Sequence, residues 1–240
     1  MDSGMKTTLF TALTALVFGF LGAAAWSYGG LADNRTRAFL VENPGVLEEV
    51  AEALAEQRER EAAGAARERL AEMGDGVMTP FPGAVMGNPE GSKVLVEFSD
   101  YNCGYCEASL ADIQRLVDAD PELKVVIREW PIFQGSDYAA RMALAAGMQG
   151  KYREFHEAMF ANSPATPESV DAVARQIGLD MERAQADAGS EAVSIELARN
   201  LQLARNLGFT GTPGFIAGGT PIPGAVGYDR LKDLIDNPQG

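Results

Sequence analysis

The chain has two cysteines, three apart, in Cys103-Gly104-Tyr105-Cys106. That spacing lets one helical turn bring two sulfurs within disulfide reach. The motif follows the apolar run Val94-Leu95-Val96-Glu97-Phe98, and Leu110, Ile113, Leu116 and Val117 recur after it at helical spacing. The pair therefore sits where a strand passes into a helix. Free amide N–H groups at a helix N-terminus favour a thiolate, so a first cysteine placed there and exposed to a substrate becomes a nucleophile. The second cysteine then resolves the mixed disulfide. No basic side chain stands near the motif in sequence, so the helix terminus must carry most of that activation. A static structural disulfide, or half of an intermolecular zinc site, are the inert readings of the same spacing.

Three further residues bear on this chemistry. Glu97 interrupts the apolar strand six residues before Cys103, and alternation sets it on the face opposite Val96 and Phe98. Burial would raise its pKa and make it a proton acceptor for Cys106. The alternative is a strand-edge glutamate reaching water. Thr212-Pro213, just ahead of the apolar Phe215-Ile216-Ala217, is a turn signal. A cis bond there would turn the Thr212 backbone outward, where an extended substrate pairs with it; a trans turn proline is the common alternative. His156, the single histidine, reads as a packing residue without a catalytic role.

The elements around these residues are ordinary for a globular chain of 240 residues, 46% hydrophobic and 22% charged. Twenty basic against 34 acidic residues give a net charge of −14, which argues against nucleic acid as a partner. One histidine and two cysteines exclude a His-rich metal site, a single-chain four-ligand Cys/His zinc site and a disulfide-dense scaffold. Residues 1–26 read as a signal peptide or a membrane anchor. Lys6 precedes an uncharged run over 9–25 that ends in Ala23-Ala24-Ala25, and Trp26 and Tyr28 would suit a membrane interface. Either way the remainder is exported.

Over 31–73, Asp33 or Asn34 opens a helix and Pro44 interrupts it or starts a second. Leu40, Leu47 and Leu54 make an apolar stripe with Val50 and Ala51. The segment is either a solvated helix packed on the body or an oligomerisation stalk. Residues 74–92, rich in Gly and Pro, read as a linker holding one short strand near 84–86. Over 93–240 we expect strand, helix, strand, a helical block over 136–207, a hairpin turning at Gly218-Gly219, and a last helix over 229–235.

Val-Glu-Phe-Ser-Asp-Tyr-Asn-Cys-Gly-Tyr-Cys, then Gly-Lys-Tyr-Arg-Glu-Phe-His-Glu-Ala-Met, then Gly-Thr-Pro before a Phe-containing strand resemble the DsbA-type thioredoxin-fold thiol–disulfide oxidoreductases of bacteria. The resemblance runs over residues 93–240. It implies an α/β thioredoxin fold with an inserted helical domain, preceded by a helical N-terminal stalk. It implies Cys103 as nucleophile, Cys106 as resolving thiol, Glu97 as the buried acid and Thr212-Pro213 as a substrate-binding cis-Pro loop, with Gly104 and Tyr105 facing the client. No cofactor or metal is implied beyond the redox-active Cys103–Cys106 pair. The partners implied are cysteine-containing exported proteins and a membrane redox protein, in the bacterial periplasm.

The segment Glu42-Asn43-Pro44-Gly45-Val46-Leu47 is similar to the ScsC-like branch, in which a helical stalk makes oligomers; by that likeness the chain is a trimer. Gly-Tyr between the cysteines and Thr before the proline look like the isomerase combination. Tyr105 cannot supply the positive charge of a central histidine, so a milder oxidant is expected. The reading leans to an isomerase. A monomeric DsbA-like oxidase and a binding or holdase module with a structural disulfide remain the alternatives, with a small-molecule thiol enzyme behind them. Gly214 departs from the pattern, which we expect to loosen the loop and remove a substrate contact.

Overall fold

The computed structural model describes residues 3–28 and 31–238. Met1 and Asp2 of the expected leader and Gln239 and Gly240 of the expected main domain lie outside the described residues, as do the side chains of Lys6, Ala25, Tyr28, Asp33 and Asn34. The chain divides into two compact units, residues 1–60 and 61–240.

The first unit is helical. It holds α1 (Ser3–Tyr28), α2 (Leu31–Glu42) and the start of α3 (Gly45–Met73). Pro44 separates α2 from α3: it cannot donate an amide, while Asn43 N–H still closes on Phe39 O and Leu47 N–H on Pro44 O. Phe39, Val41, Leu47, Val50 and Leu54 are exposed. No helix among the described residues is long and apolar enough to cross a membrane.

The second unit is a five-stranded sheet in the order β1-β3-β2-β4-β5, from β1 (Val85–Gly87), β2 (Lys93–Ser99), β3 (Leu123–Glu129), β4 (Gly214–Ala217) and β5 (Thr220–Pro223). Only β2 and β3 run parallel. A parallel pair needs a crossover, and α4 (Gly104–Ala119) supplies it. β2 and β3 lie inside the sheet and are buried on both faces, which is why they read as near-continuous apolar runs.

On one face Leu95, Val125, Ile127 and Phe215 join a core with Ile113 and Leu116 of α4 and with α10 (Tyr228–Asp236). On the other, Val96, Phe98, Val126 and Ile216 pack with Leu70, Trp130, Leu207 and Phe209. The helical block fills the chain between β3 and β4 as α5 (Ser136–Met148), α6 (Tyr152–Ala161), α7 (Pro167–Gln176), α8 (Met181–Ala188) and α9 (Glu191–Leu207). This is the α/β thioredoxin arrangement with a helical insertion.

The expected hairpin is β4–β5. At its Gly218 (φ +51°) a Cβ would collide with the Leu234 carbonyl. The strand expected near 84–86 is β1, an edge strand paired antiparallel to β3.

Candidate active site

Cys103 is the cap of α4, with extended backbone angles (φ −99°, ψ 111°). Its carbonyl accepts the amides of Cys106 (3.0 Å) and Glu107 (3.1 Å), so the motif forms the first turn and both sulfurs lie on it. Gly104 and Tyr105 point outward, Tyr105 at 70% exposure. Cys103, expected to be exposed, is only 4% exposed. The reason is the loop across from it: the Cys103 Sγ–H donates to the Thr212 carbonyl at 3.2 Å, a contact spanning 109 residues. Thr212–Pro213 is cis, as is Ser163–Pro164, which the sequence analysis did not single out. Gly224 N–H bonds to the Pro213 carbonyl (2.9 Å) and fixes the loop from behind.

Glu97 is 1% exposed, in the inner strand β2 and on the face opposite Val96 and Phe98. The strand-edge alternative therefore does not apply. Neither carboxyl oxygen has a partner in good hydrogen-bond geometry, and burial lifts its pKa to about 8, with the nearby Ser99 hydroxyl pulling the other way. Cys106 is 1% exposed; burial first, then the Glu97 charge, pushes its thiol far above the usual range. Cys106 therefore keeps its proton until a base removes it, and Glu97 is the acid whose charge it feels.

Gly214 corrects an expectation. It is buried as the first residue of β4, and a Cβ there would stand 2.7 Å from the Phe209 ring. The missing side chain makes room for Phe209 in the core instead of removing a substrate contact.

Two groups of polar residues were missed. Asp100 is buried under the motif. Its Oδ2 accepts from Ile132 N (2.6 Å), Phe133 N (2.8 Å) and Ser136 Oγ (2.9 Å), and its Oδ1 from Asn102 N (2.7 Å). Glu129, fully buried at the end of β3, accepts from the hydroxyls of Tyr101 (3.0 Å) and Tyr152. His156 Nδ1 lies 2.9 Å from the Tyr101 hydroxyl, and the ring packs against Tyr152 and Phe160. Desolvation pulls His156 to about 3 and holds it neutral, a packing histidine that is nonetheless bonded to a residue two before Cys103. Glu129 carried a weaker form of the Glu97 signal, a carboxylate that ends a mostly apolar strand behind Arg128. Among the described residues no cluster of His, Cys, Asp or Glu is arranged to hold a metal.

Residues 94–236 match the model of the DSBA-like thioredoxin domain family. A thioredoxin-like oxidoreductase from Silicibacter pomeroyi DSS-3 is 45% identical, with a TM-score of 0.65 over 68% of this chain and 95% of its own. BcfH from Salmonella enterica Typhimurium is 25% identical, with a TM-score of 0.75 over 92% of this chain and 100% of its own. Proteus mirabilis ScsC in a transitional conformation is 26% identical, with a TM-score of 0.63 over 85% of this chain and 92% of its own. Among curated relatives, the Na(+)/H(+) antiporter NhaA of Herminiimonas arsenicoxydans is 30% identical over 154 residues, 63% of this chain and 25% of that protein. The chain thus spans about a quarter of the length of the curated relatives it matches. It belongs to the DSBA-like thioredoxin domain family.

Proposed function

We propose that, as a member of that family, the chain exchanges disulfides with exported, cysteine-containing proteins of the bacterial periplasm through Cys103 and Cys106, and that it leans to isomerisation. The observation that carries this reading is the Cys103 sulfur at the start of α4, set against the Thr212 carbonyl, with an unpartnered buried carboxyl on the neighbouring strand.

In the first step the Cys103 thiolate attacks a client disulfide. A bond forms between Cys103 Sγ and one client sulfur, and the other client sulfur leaves as a thiolate that takes up a proton. The Thr212 backbone and Tyr105 line the approach and pair with the client chain. In the second step Cys106 passes its proton to the Glu97 carboxylate and attacks Cys103 Sγ. The second client sulfur leaves as a thiolate, which collects that proton by way of solvent. The client disulfide gains two electrons and the Cys103–Cys106 dithiol loses them. Glu97 titrates at about 8, so it is in part ionised near neutrality, as a general base must be. In isomerisation another client thiolate attacks the client sulfur of the mixed disulfide before Cys106 acts, which forms a new client disulfide and releases Cys103 as a thiolate. Oxidation is the reverse of both steps.

The lean to isomerisation rests on Gly104-Tyr105, which puts no cation beside Cys103, and on the exposed Leu47, Val50 and Leu54. Copies of the chain that pool this stripe, three by analogy, would surround one client with several thiolates. A membrane redox partner would keep Cys103 reduced. The test is recovery of activity from scrambled ribonuclease by the reduced full chain. Strong recovery, lost in Cys103→Ser, supports an isomerase. No recovery but fast oxidation of reduced ribonuclease by the disulfide form gives the oxidase, and undiminished turnover by Cys103→Ser sinks both. Light scattering on Leu47→Glu/Leu54→Glu should show a smaller particle than the unaltered chain; an unchanged mass overturns the stalk.

A further inference from the structure

Three buried carboxyl oxygens near the cysteines have no hydrogen-bond partner: both of Glu97 and Oε2 of Glu129. Burying such an atom is costly, so each calls for a physical reason. In the parallel β2–β3 register Glu97 pairs with Ile127 and Ser99 with Glu129. Paired residues share a face, so Glu97 and Glu129 project from the same side of the sheet on neighbouring strands. They are offset by two residues, about 8 Å from strand spacing and rise. Leu95 and Ile127 of that face share a core with Cys106.

We propose that Glu129 is a positioning residue for the thiol chemistry: clamped by two phenols, it competes with Glu97 for one buried negative charge and so sets the pH at which Glu97 takes the Cys106 proton. This rests on the role of Glu97 proposed above.

The groups that face the pair are themselves acids or neutral. Tyr101 follows β2 and Tyr152 lies on α6; both donate to Glu129 Oε1. His156, also on α6, is held neutral by burial and meets the same two hydroxyls. The Asp100 charge pushes Glu129 further up, as does that of Glu97. Cys106 and Cys103 come from the α4 side, and on β4 the residue beside Glu97 is Phe215. Arg128 projects to the opposite face, where it pairs with Glu196 of α9. Among the described residues no neighbour on this side supplies the cation that would let both carboxyls ionise together. Burial holds each at about 8, against the Ser99 hydroxyl at Glu97 and the two phenols at Glu129, which pull the other way. Their repulsion is mutual, so ionising one raises the other, and they titrate as a pair. The phenols stabilise the charge on Glu129, which delays ionisation of Glu97.

The test mixes the reduced full chain with an aromatic disulfide whose released thiol absorbs visible light. The first equivalent appears when Cys103 attacks, the second when Cys106 resolves the mixed disulfide. The pH midpoint of the second release is compared across variants. Glu129→Gln keeps the shape and removes the competing charge; its midpoint should fall by about one pH unit. Tyr152→Phe removes one donor from Glu129 and should lower the midpoint by less. If Glu129→Gln fails to fold, Tyr152→Phe decides. Midpoints unmoved in these variants, while Glu97→Gln alters the profile, overturn the proposal and leave the Glu97 reading intact. A profile unchanged in Glu97→Gln overturns both.

Discussion

In the proposed mechanism one physical difference between Cys103 and Cys106 sets their order of action. Cys103 stands at a helix start with its sulfur on a carbonyl of the facing loop, and Cys106 is sealed behind it, its thiol held protonated by burial and by Glu97. The step that needs help is thus the second, and Glu97→Gln should slow the second thiol release at neutral pH by about tenfold or more while leaving the first unaffected. Stopped-flow traces that show both phases unchanged would remove Glu97 from the chemistry. At this scale the sequence was informative where a residue broke its local pattern: Cys-x-x-Cys at a strand–helix junction, a glutamate in an apolar run, a proline before a strand. It was silent where partners are far apart in the chain. Nothing near Tyr101 indicates that Glu129, Tyr152 and His156 will meet it, because α6 must first pack over the end of β3.

The element that positions the motif is the turn between β2 and α4, and Asp100 holds it. One buried carboxylate takes two amides from the segment after β3, the Ser136 hydroxyl at the start of α5 and the Asn102 amide beside Cys103. Asn102 in turn donates to the Gln134 carbonyl and accepts from Ala165 N–H, tying the motif to the helical block. Asp100→Ala orphans these donors and should cost roughly 2–4 kcal/mol in a urea titration, with slower attack by Cys103. A loss below about 0.5 kcal/mol would mean that water or a neighbour replaces the carboxylate. Arg128 does similar service on the other face. It is fully buried and donates to Glu196, Asn200 and the carbonyls of Gly76, Val77 and Thr79, which fixes the segment ahead of β1 onto α9. The order of elements from β2 onward was legible from periodicity, with ends shifted by a residue or two. The sheet membership of β1 was not, because three residues between glycines and prolines carry too short a pattern to reveal a pairing partner.

For the whole molecule, the buried titratable groups give stability a definite dependence on pH. Glu97 and Glu129 have folded values near 8 against an ordinary 4.5, so between those limits the native state binds more protons than the unfolded chain and stability falls as pH rises. His156 has a folded value near 3 against 6.5, so the native state binds fewer protons there and stability rises with pH up to about 6.5. Two opposing groups against one place the maximum on the acid side of neutrality. The urea midpoint of the reduced protein should be lower at pH 8 than at pH 5, and Glu97→Gln should narrow the gap; a midpoint that rises from pH 5 to pH 8 contradicts this sign. Net charge and composition were legible at this scale and pointed away from nucleic acid. Oligomeric state was not, since Leu40, Leu47 and Leu54 are too few heptads to specify a stoichiometry.

The proposed division of labour between the cysteines can be tested most directly by trapping. Cys106→Ser, mixed with a disulfide-bonded client peptide and analysed by mass spectrometry, should accumulate a mixed disulfide at Cys103 that does not resolve, while Cys103→Ser should form none. Equal adducts in both variants, or none in either, would contradict attack by Cys103 and resolution by Cys106.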